Sequence, residues 1–564
     1  MIPNTEQDSK SSLPYLLLLL LTIGLYALNF HINDIWTENE SFYADAVREM
    51  FESGNFLDIR YNYEDRFQKP PMTYWMIAAS VALLGNSEFA IRLPILLAAI
   101  ATAMLTYETA RLLHGKKVAL LAFALQALSI QFIAGKQYAS PEIPLAFFFS
   151  LTLYLFIRGR TSGKPLWTIL AAFSLGLTML TKGYPYLIVI GGIIGLYLVL
   201  ESGFRPKQLL EELKKLHLPV TLPLILVTGA AWTVIMYLLH GDEFAQVLQK
   251  ETLNRALTRK SSLDVLENLL FYPEVILWSF FPYSLLFYTA LVQVFRKKGM
   301  AKTLTFSLSW FAVMLVIFTI AKGKIPTYFI QAHPAMAIIT AVYLSSLRGS
   351  AGKGEQLFVL VLLVLSSVIA LIIGTLMIPV FDLHPLYYIA PGGAGAFMLY
   401  ALFRKHDDPS ASLLRQLQPF ATTWAALFIL AAGVMPQLEE SRPYDQIRSA
   451  IRAEESIAPS LPIYLQGSTL HNLPYYAERR VEKHADPVAV QEMPGPVLAL
   501  LETDAVAPDF NGKILWEGMI YRKRSSESRL LIFIRSHLDA KKGDTSGFRS
   551  FSLIYKPEQL QDVQ

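Results

Sequence analysis

Apolar runs of about 18 residues or more recur along most of this chain, separated by short basic loops, and that pattern restricts the fold more than any motif does. About 20 residues at a rise of 1.5 Å cross the hydrocarbon of a bilayer as a helix. Only 17% of the 564 residues are charged, 53% are hydrophobic, and mean hydropathy is +0.38. Soluble domains carry about 25% charge. The sequence therefore describes a polytopic α-helical membrane protein. Thirteen spans are expected, near 13–30, 90–113, 117–134, 141–158, 165–181, 184–200, 218–240, 272–295, 303–321, 325–347, 356–380, 385–404 and 419–436. No small-residue cleavage site follows the first run, so it is read as a retained helix. The absence of cysteine excludes disulfides, thiolate catalysis and Cys-ligated metals. The net charge of +4 is carried in loops, and nothing points to nucleic acid.

The stretch "PPMTYWMIAASVALLG", 70–85, decides the topology. If it lies in the interface, the loops "HGKK", "RGRTSGK", "ESGFRPKQLLEELKKLH", "FRKKGMAK", "LRGSAGKGE" and "FRKHDD" all face the cytoplasm, as the positive-inside rule requires. If it spans, all of them face out. The expectation is a juxtamembrane helix anchored by Tyr74 and Trp75, a cytoplasmic N-terminus and a periplasmic or extracellular C-terminus. Residues 31–89, 135–140 and 241–271 then share the outer side. That side nevertheless carries Arg66, Lys69, Lys136, Lys182, Arg255, Arg259, Lys260, Lys322 and Lys324, against the charge bias. Lipid headgroups or a phosphate-bearing substrate would each account for them.

The tail, 437–564, has a different composition. "LPIYLQG", "VLALLET" and "RLLIFIRS" are expected as buried strands and "YDQIRSAIRAEESI" as an amphipathic helix, giving a small soluble α/β domain after a membrane part of residues 1–436. Its expected role is structural or acceptor-facing.

Chemistry-bearing residues gather in the outer segments. "DIWTENESFYADAVREM", 34–50, mixes carboxylates with Trp36, Phe42 and Tyr43; a helix is expected from Ser41 to Ser53, with Glu38 and Glu40 in the loop at its start. They act there as helix caps or as part of an active-site wall. In "YEDRFQKPPMTYW" the diproline fixes Lys69 at headgroup depth, to snorkel or to pair with a phosphate. Glu142 starts a span directly after Pro141, and an acid at the acyl boundary is costly. "TKGYPY" and "AKGKIPTYFI" place Lys182, Lys322 and Lys324 between apolar helices, with Tyr328 just inside the next helix.

The ordered set "NESFYADAVREM", "RFQKPPMTYW", "SEFAIRLP", "SPEIPLAFF", "LTKG" and "KGKIPTYF" resembles the bacterial GT-C glycosyltransferases of the protein O-mannosyltransferase and lipid A aminoarabinose transferase type, over residues 13–436. The resemblance implies a polyprenyl-phosphate-linked sugar donor and a lipid, glycan or protein acceptor. Transfer would take place at the outer face of a bacterial inner membrane. The family's Asp-Glu pair in the first outer loop reads Asn39-Glu40 here, with Glu38 one position earlier. Its Glu-Lys-Pro motif reads Gln68-Lys69-Pro70, and Thr252 stands where the aminoarabinose transferases place a metal-ligand histidine. A metal like theirs is thus not expected and no cofactor is implied, a divalent ion remaining an open alternative. Glu142 matches the acid of a "D-x-P-L" element, and Lys182 and Tyr328 carry over directly.

The mechanism expected on this basis uses Glu40, or else Glu38, as general base, with Glu142 as a further catalytic carboxylate. Lys69, Lys322, Lys324 and Arg255 would neutralise the departing phosphate, and Asn39, Tyr43, Arg66, Gln68, Lys136, Lys182 and Tyr328 would line the substrate site. A phosphate acceptor would need no strong base, and single displacement would invert the anomeric centre. The rival expectation is a carrier or flippase for a lipid-linked anion. Such folds show repeated halves and broken midplane helices; no repeat is visible here.

Overall fold

The computed structural model describes residues 12–35, 37–251, 265–297, 299–321, 323–350, 352–404, 413–439, 441–467, 470–521 and 529–558. The N-terminal half is built from helices α1 (Leu13–Ala27), α2 (Glu38–Ser53), α3 (Met72–Leu84), α4 (Glu88–His114), α5 (Lys116–Ala127), α6 (Ile130–Gly135), α7 (Glu142–Ser162), α8 (Pro165–Lys182), α9 (Pro185–Glu201), α10 (Pro206–Lys214) and α11 (Leu218–Gln249). Among the described residues, α4, α7, α8, α11, Pro326–Leu347, Lys353–Val380, Pro385–Phe403 and Leu417–Glu439 are long and apolar enough to cross a membrane. α1, α3, α9, Ser284–Arg296 and Thr305–Ile320 are shorter apolar helices.

Two expected spans are not continuous. The run at 117–134 breaks between α5 and α6, and the run at 272–295 breaks between helices Val265–Ser279 and Ser284–Arg296. The two breaks meet. Ile130 N donates to the Phe281 carbonyl at 3.1 Å, and the buried His333 ring lies 3.4 Å from Ser129 Oγ and 3.3 Å from Ser279 Oγ. Interrupted backbone is tolerated at membrane depth only where protein satisfies its polar groups, and here each break serves the other.

The first long loop begins earlier in helix than expected. Thr37 accepts the Glu40 amide proton at 3.1 Å as N-cap, so α2 starts at Glu38 rather than Ser41, and Gly54 closes it at φ +68°. Asn62 and Tyr63 then turn a two-stranded ribbon, β1 (Arg60–Tyr61) and β2 (Glu64–Asp65). At 13 residues α3 is about 20 Å long, short of the ~30 Å hydrocarbon layer, which fits the expected juxtamembrane helix. Its anchors differ from expectation. Tyr74 is fully buried against Tyr43, with ring centroids 4.2 Å apart, instead of facing headgroups. The indole of Trp75 donates to the Phe56 carbonyl at 2.8 Å.

The tail forms a mixed five-stranded sheet of order β4-β3-β5-β7-β6: β3 (Ile463–Leu465), β4 (Val481–Lys483), β5 (Val497–Glu502), β6 (Lys513–Tyr521) and β7 (Phe548–Lys556). β3 pairs in parallel with β4 and β5, and β7 runs antiparallel to β5 and β6. The amphipathic helix forms over Tyr444–Ala453 as expected, burying Tyr444, Ile447 and Ile451. "RLLIFIRS" is instead the start of a helix, Arg529–Lys541. Phe533, Ile534 and Leu538 of that helix share an apolar cluster with Ile378, Leu430 and Val434 of the membrane helices, and this tertiary contact decides a run whose length alone is ambiguous. Short β4 and the long pair β6–β7 carry little alternation and were not expected.

Helices α8 and α11 cross at glycine. A Cβ on Gly176 would lie 2.6 Å from Thr228 Cβ and 3.2 Å from the Gly229 amide. Gly176→Ala is therefore expected to destabilise the detergent-solubilised protein by about 1–3 kcal/mol through overpacking. A melting temperature equal to that of the parent chain would refute this crossing.

Candidate active site

The deepest polar feature of the first loop is an ion pair. Glu40 is fully buried, and Arg92 of α4 grips both of its oxygens, at 2.7 and 3.0 Å. Ala139 N donates to Glu40 Oε1 at 2.9 Å, and the same guanidinium reaches the carbonyls of Asn33 and Asp34. A general base must come within hydrogen-bond reach of the acceptor's proton. The Glu40 carboxylate, expected as the base, is sealed among these donors and here acts as a strut between the loop and α4. Glu38 differs. It sits in the first turn of α2, about a third exposed, with His471 of the tail 3.8 Å away. Asn39, in the family's aspartate position, is exposed beside it.

Beyond this strut the loop presents a polar wall. Arg66 lies over the Phe42 ring, 3.6 Å from its centroid, and Phe42 packs edge-on to Tyr61. Tyr43 and Tyr74 pack on each other below, and both Arg66 and Glu142 act electrostatically on the Tyr43 hydroxyl. Glu142, at the start of α7, holds Lys182 at the end of α8 with a 2.8 Å ion pair. The Lys182 ammonium also stands 4.7 Å from the Tyr328 ring centroid. Tyr328 is expected inside a helix but lies in a 3-10 turn, Pro326–Ala332, that leads into it. Lys324, in the same loop, donates to the carbonyls of Phe318 (3.3 Å) and Thr319 (2.6 Å), with the Tyr272 ring 5.6 Å away. Phe318 packs on both Tyr328 and Tyr272, so Lys182 and Lys324 edge one aromatic nest.

Lys69 makes a 2.9 Å ion pair with Glu251, just past α11, and donates to the Gln68 carbonyl. Glu251 was not expected; its only signal is an acid at a helix end beside an outer loop. Lys136 is almost fully buried, 5.9 Å from the Tyr26 ring centroid, and burial, with Arg92 nearby, pushes its ammonium down to about 7. It therefore lines the interior near the strut. Arg255, Lys322 and Thr252 lie outside the described residues.

Comparison with known proteins gives the family and the fold. A family model described as dolichyl-phosphate-mannose-protein mannosyltransferase matches residues 68–232. An uncharacterised protein of Aquifex aeolicus (strain VF5) is 35% identical over 94% of this chain and 97% of its own length. The undecaprenyl phosphate-alpha-4-amino-4-deoxy-L-arabinose arabinosyl transferase 1 of Proteus mirabilis (strain HI4320) is 25% identical over 59% of this chain. That match spans 60% of the transferase's own length. The crystal structure of ArnT from Cupriavidus metallidurans bound to undecaprenyl phosphate shares the fold, with a TM-score of 0.73 at 19% identity over 90% of this chain and 97% of that one. The chain belongs to the GT-C glycosyltransferases of the mannosyltransferase and aminoarabinose transferase type.

This membrane glycosyltransferase carries two carboxyls with displaced titration in its first loop. Burial, then the Asp45 charge, pushes Glu49 up to about 8. Burial, then Glu439, pushes Asp34 up to about 8 as well. The folded protein thus holds protons that the unfolded chain has already released, from ordinary values of 4.5 and 3.8. Stability contributed by these groups is complete at low pH and declines as pH rises toward 8. Glu49→Gln is expected to flatten that decline; an unchanged slope of melting temperature against pH would exclude Glu49 as its source. Glu40→Gln leaves Arg92 as a buried charge without its carboxylate and is expected to cost about 3–5 kcal/mol. Glu38→Gln should stay within about 0.5 kcal/mol of the parent. Equal melting temperatures for the two variants would refute the strut.

Proposed function

We propose that this glycosyltransferase takes a sugar from a polyprenyl-phosphate carrier and transfers it to an acceptor phosphate, as on lipid A, at the outer surface of the inner membrane. The observation that carries this reading is the Lys182–Glu142 pair above the Tyr328 ring, with Lys324 at the edge of the same aromatic nest. The carrier phosphate gains charge as its bond to the sugar carbon breaks. Ammonium groups fixed in a partly dry setting stabilise that charge more than solvated lysines do. Lys182 is suited to the task because Glu142 and the Tyr328 ring hold it in place before the donor arrives. Lys69, similarly set by Glu251, is assigned to the same phosphate or to the acceptor's.

The sealed Glu40 supports an acceptor that is already ionised. A phosphate oxygen attacks without surrendering a proton, so no strong base is required, and Asn39 at the family's aspartate position costs nothing in rate. Attack opposite the leaving phosphate inverts the sugar carbon. The outer location is supported by the short basic loops at the other end of the helices. The arabinosyl transferases named above are relatives in this respect, acting with an undecaprenyl-phosphate-linked aminosugar.

Lys182→Ala is expected to lower kcat/KM for a polyprenyl-phosphate sugar by at least about tenfold, an effect larger than 1.4 kcal/mol on transition-state binding. Glu38→Gln should leave transfer to a phosphate acceptor near the parental rate. Measured with purified protein in lipid nanodiscs, full activity of Lys182→Ala would overturn the phosphate assignment. Loss of activity in Glu38→Gln would indicate a hydroxyl acceptor served by that carboxylate.

A further inference from the structure

A second group of carboxylates lies where the first loop, the start of α4 and the tail come together. One oxygen each of Asp34, Glu88 and Asp445 lies within 4.8 Å of the others. Three distant parts of the chain supply them: the segment before α2, the first residue of α4 and the helix Tyr444–Ala453. Asp34 is 4% exposed, and its Oδ2 is buried without a hydrogen-bond partner. The charges acting on its carboxylate are Glu439, Arg442, Asp445 and Glu88, so it faces the other acids directly. A carboxyl oxygen this deep that lacks a partner forfeits its solvation, and a cation would supply the missing partner.

Among the described residues, the neighbouring cations are engaged mainly elsewhere. Arg442 directs its guanidinium at the backbone carbonyls of Asp34 and Ile35, at 3.4 and 2.8 Å. Arg448, packed 4.5 Å from the Tyr476 ring centroid, engages the exposed Asp445 at 3.3 Å. Glu439 receives Asn33 Nδ2 and the Asp34 amide through Oε2 alone, its Oε1 being buried without a hydrogen-bond partner among the described residues, and Glu88 receives the Tyr476 hydroxyl at 2.8 Å. The carboxyls of Asp34, Glu88 and Asp445 nevertheless stay together, each offering one oxygen to the same small space.

We propose that Asp34, Glu88 and Asp445 bind a calcium-class divalent cation that locks the C-terminal sheet region onto the membrane part. The donor set is all oxygen, which suits a hard cation. Calcium–oxygen distances of 2.3–2.6 Å allow ligands up to about 5 Å apart across the ion, whereas magnesium at ~2.1 Å spans only about 4.2 Å. The oxygens lie within 4.8 Å of one another, a separation that the larger ion accommodates. Asp34 is buried, Glu88 partly so and Asp445 exposed, so the ion reaches its buried anchor from solvent, and waters complete its shell. Three carboxylates of this kind correspond to an affinity of about 0.1–1 mM, the range of extracellular calcium modules. The site is separate from the Lys182 nest and does not depend on the transfer reaction.

The test is calcium binding to the full-length protein in detergent, read by radiolabelled calcium and by melting temperature. The parent chain is expected to bind one ion saturably below about 2 mM and to melt at a temperature raised by a few degrees, with magnesium about tenfold weaker. Asp445→Asn should weaken binding about tenfold or more while leaving the calcium-free melting temperature unchanged, because its side chain lies at the surface. Asp34→Asn, which replaces the buried carboxyl ligand by an amide, should abolish binding. Absence of saturable binding up to 10 mM in the parent chain, or parental affinity in Asp445→Asn, would overturn the proposal. Because ion binding and melting report independently of sugar transfer, failure here leaves the proposed reaction standing, and failure of the reaction leaves this site standing.

Discussion

Everything on the loop end of this molecule depends on the buried pair of Glu40 and Arg92. Arg92 binds the carbonyls of residues 33 and 34, Glu40 belongs to α2, and its second task is to hold the amide of Ala139. One ion pair therefore fixes the exit from α1, the start of α2, the first turns of α4 and the segment that leads into α7. A pair this deep repays its desolvation only when its hydrogen bonds are made, and here both carboxylate oxygens and all three guanidinium nitrogens are engaged. Ala139 stands three residues before Glu142. Through this amide the strut sets where Glu142 begins its helix, and hence where Lys182 is held.

The paired helix breaks show the same logic at membrane depth. Ser129, Ser279 and His333 are buried polar groups among apolar helices, and none would be stable there alone. They sit at interruptions in two helices, where the Ile130–Phe281 backbone bond joins the broken ends. The 3-10 turn carrying Tyr328 runs directly into His333. The nest that presents Lys182 and Lys324 thus rests on a rigid polar knot rather than on a loose loop.

These features explain what could and could not be read from the sequence. The apolar runs, the juxtamembrane character of 70–85 and the amphipathic helix at 444–453 follow from local periodicity, which does not need tertiary knowledge. The pairing of Glu142 with Lys182 was within reach only as a shared side of the membrane, since 40 residues separate them. The burial of Glu40 could not be read from the sequence. A carboxylate beside aromatics at a helix start looks the same in sequence whether it faces an acceptor or an arginine 52 residues later. Its one local clue was the Thr37-x-x-Glu40 spacing, a capping pattern that also moves the helix start to Glu38. The helix at 529–541 was lost because its apolar run is short, and only its contact with Leu430 and Val434 distinguishes it from a strand.

The C-terminal sheet region is more than an appendage to the membrane part. Asn62, in the turn of the first loop, exchanges two bonds with Val481, donating to its carbonyl at 3.0 Å and accepting its amide at 2.7 Å. The Tyr61 hydroxyl donates to the carbonyl of His471, whose ring faces Glu38 and Phe42. One continuous apolar cluster runs from Tyr43 and Ile77 in the loop to Ile463, Tyr475 and Leu500 in the tail. The rim near Glu38 and Asn39 is therefore built by both regions together. An acceptor approaching that rim meets His471 as well as the loop. Differences in acceptor choice among relatives with the same helices should thus trace to the tail residues that touch this loop, because the Lys182 nest is made entirely by the membrane part.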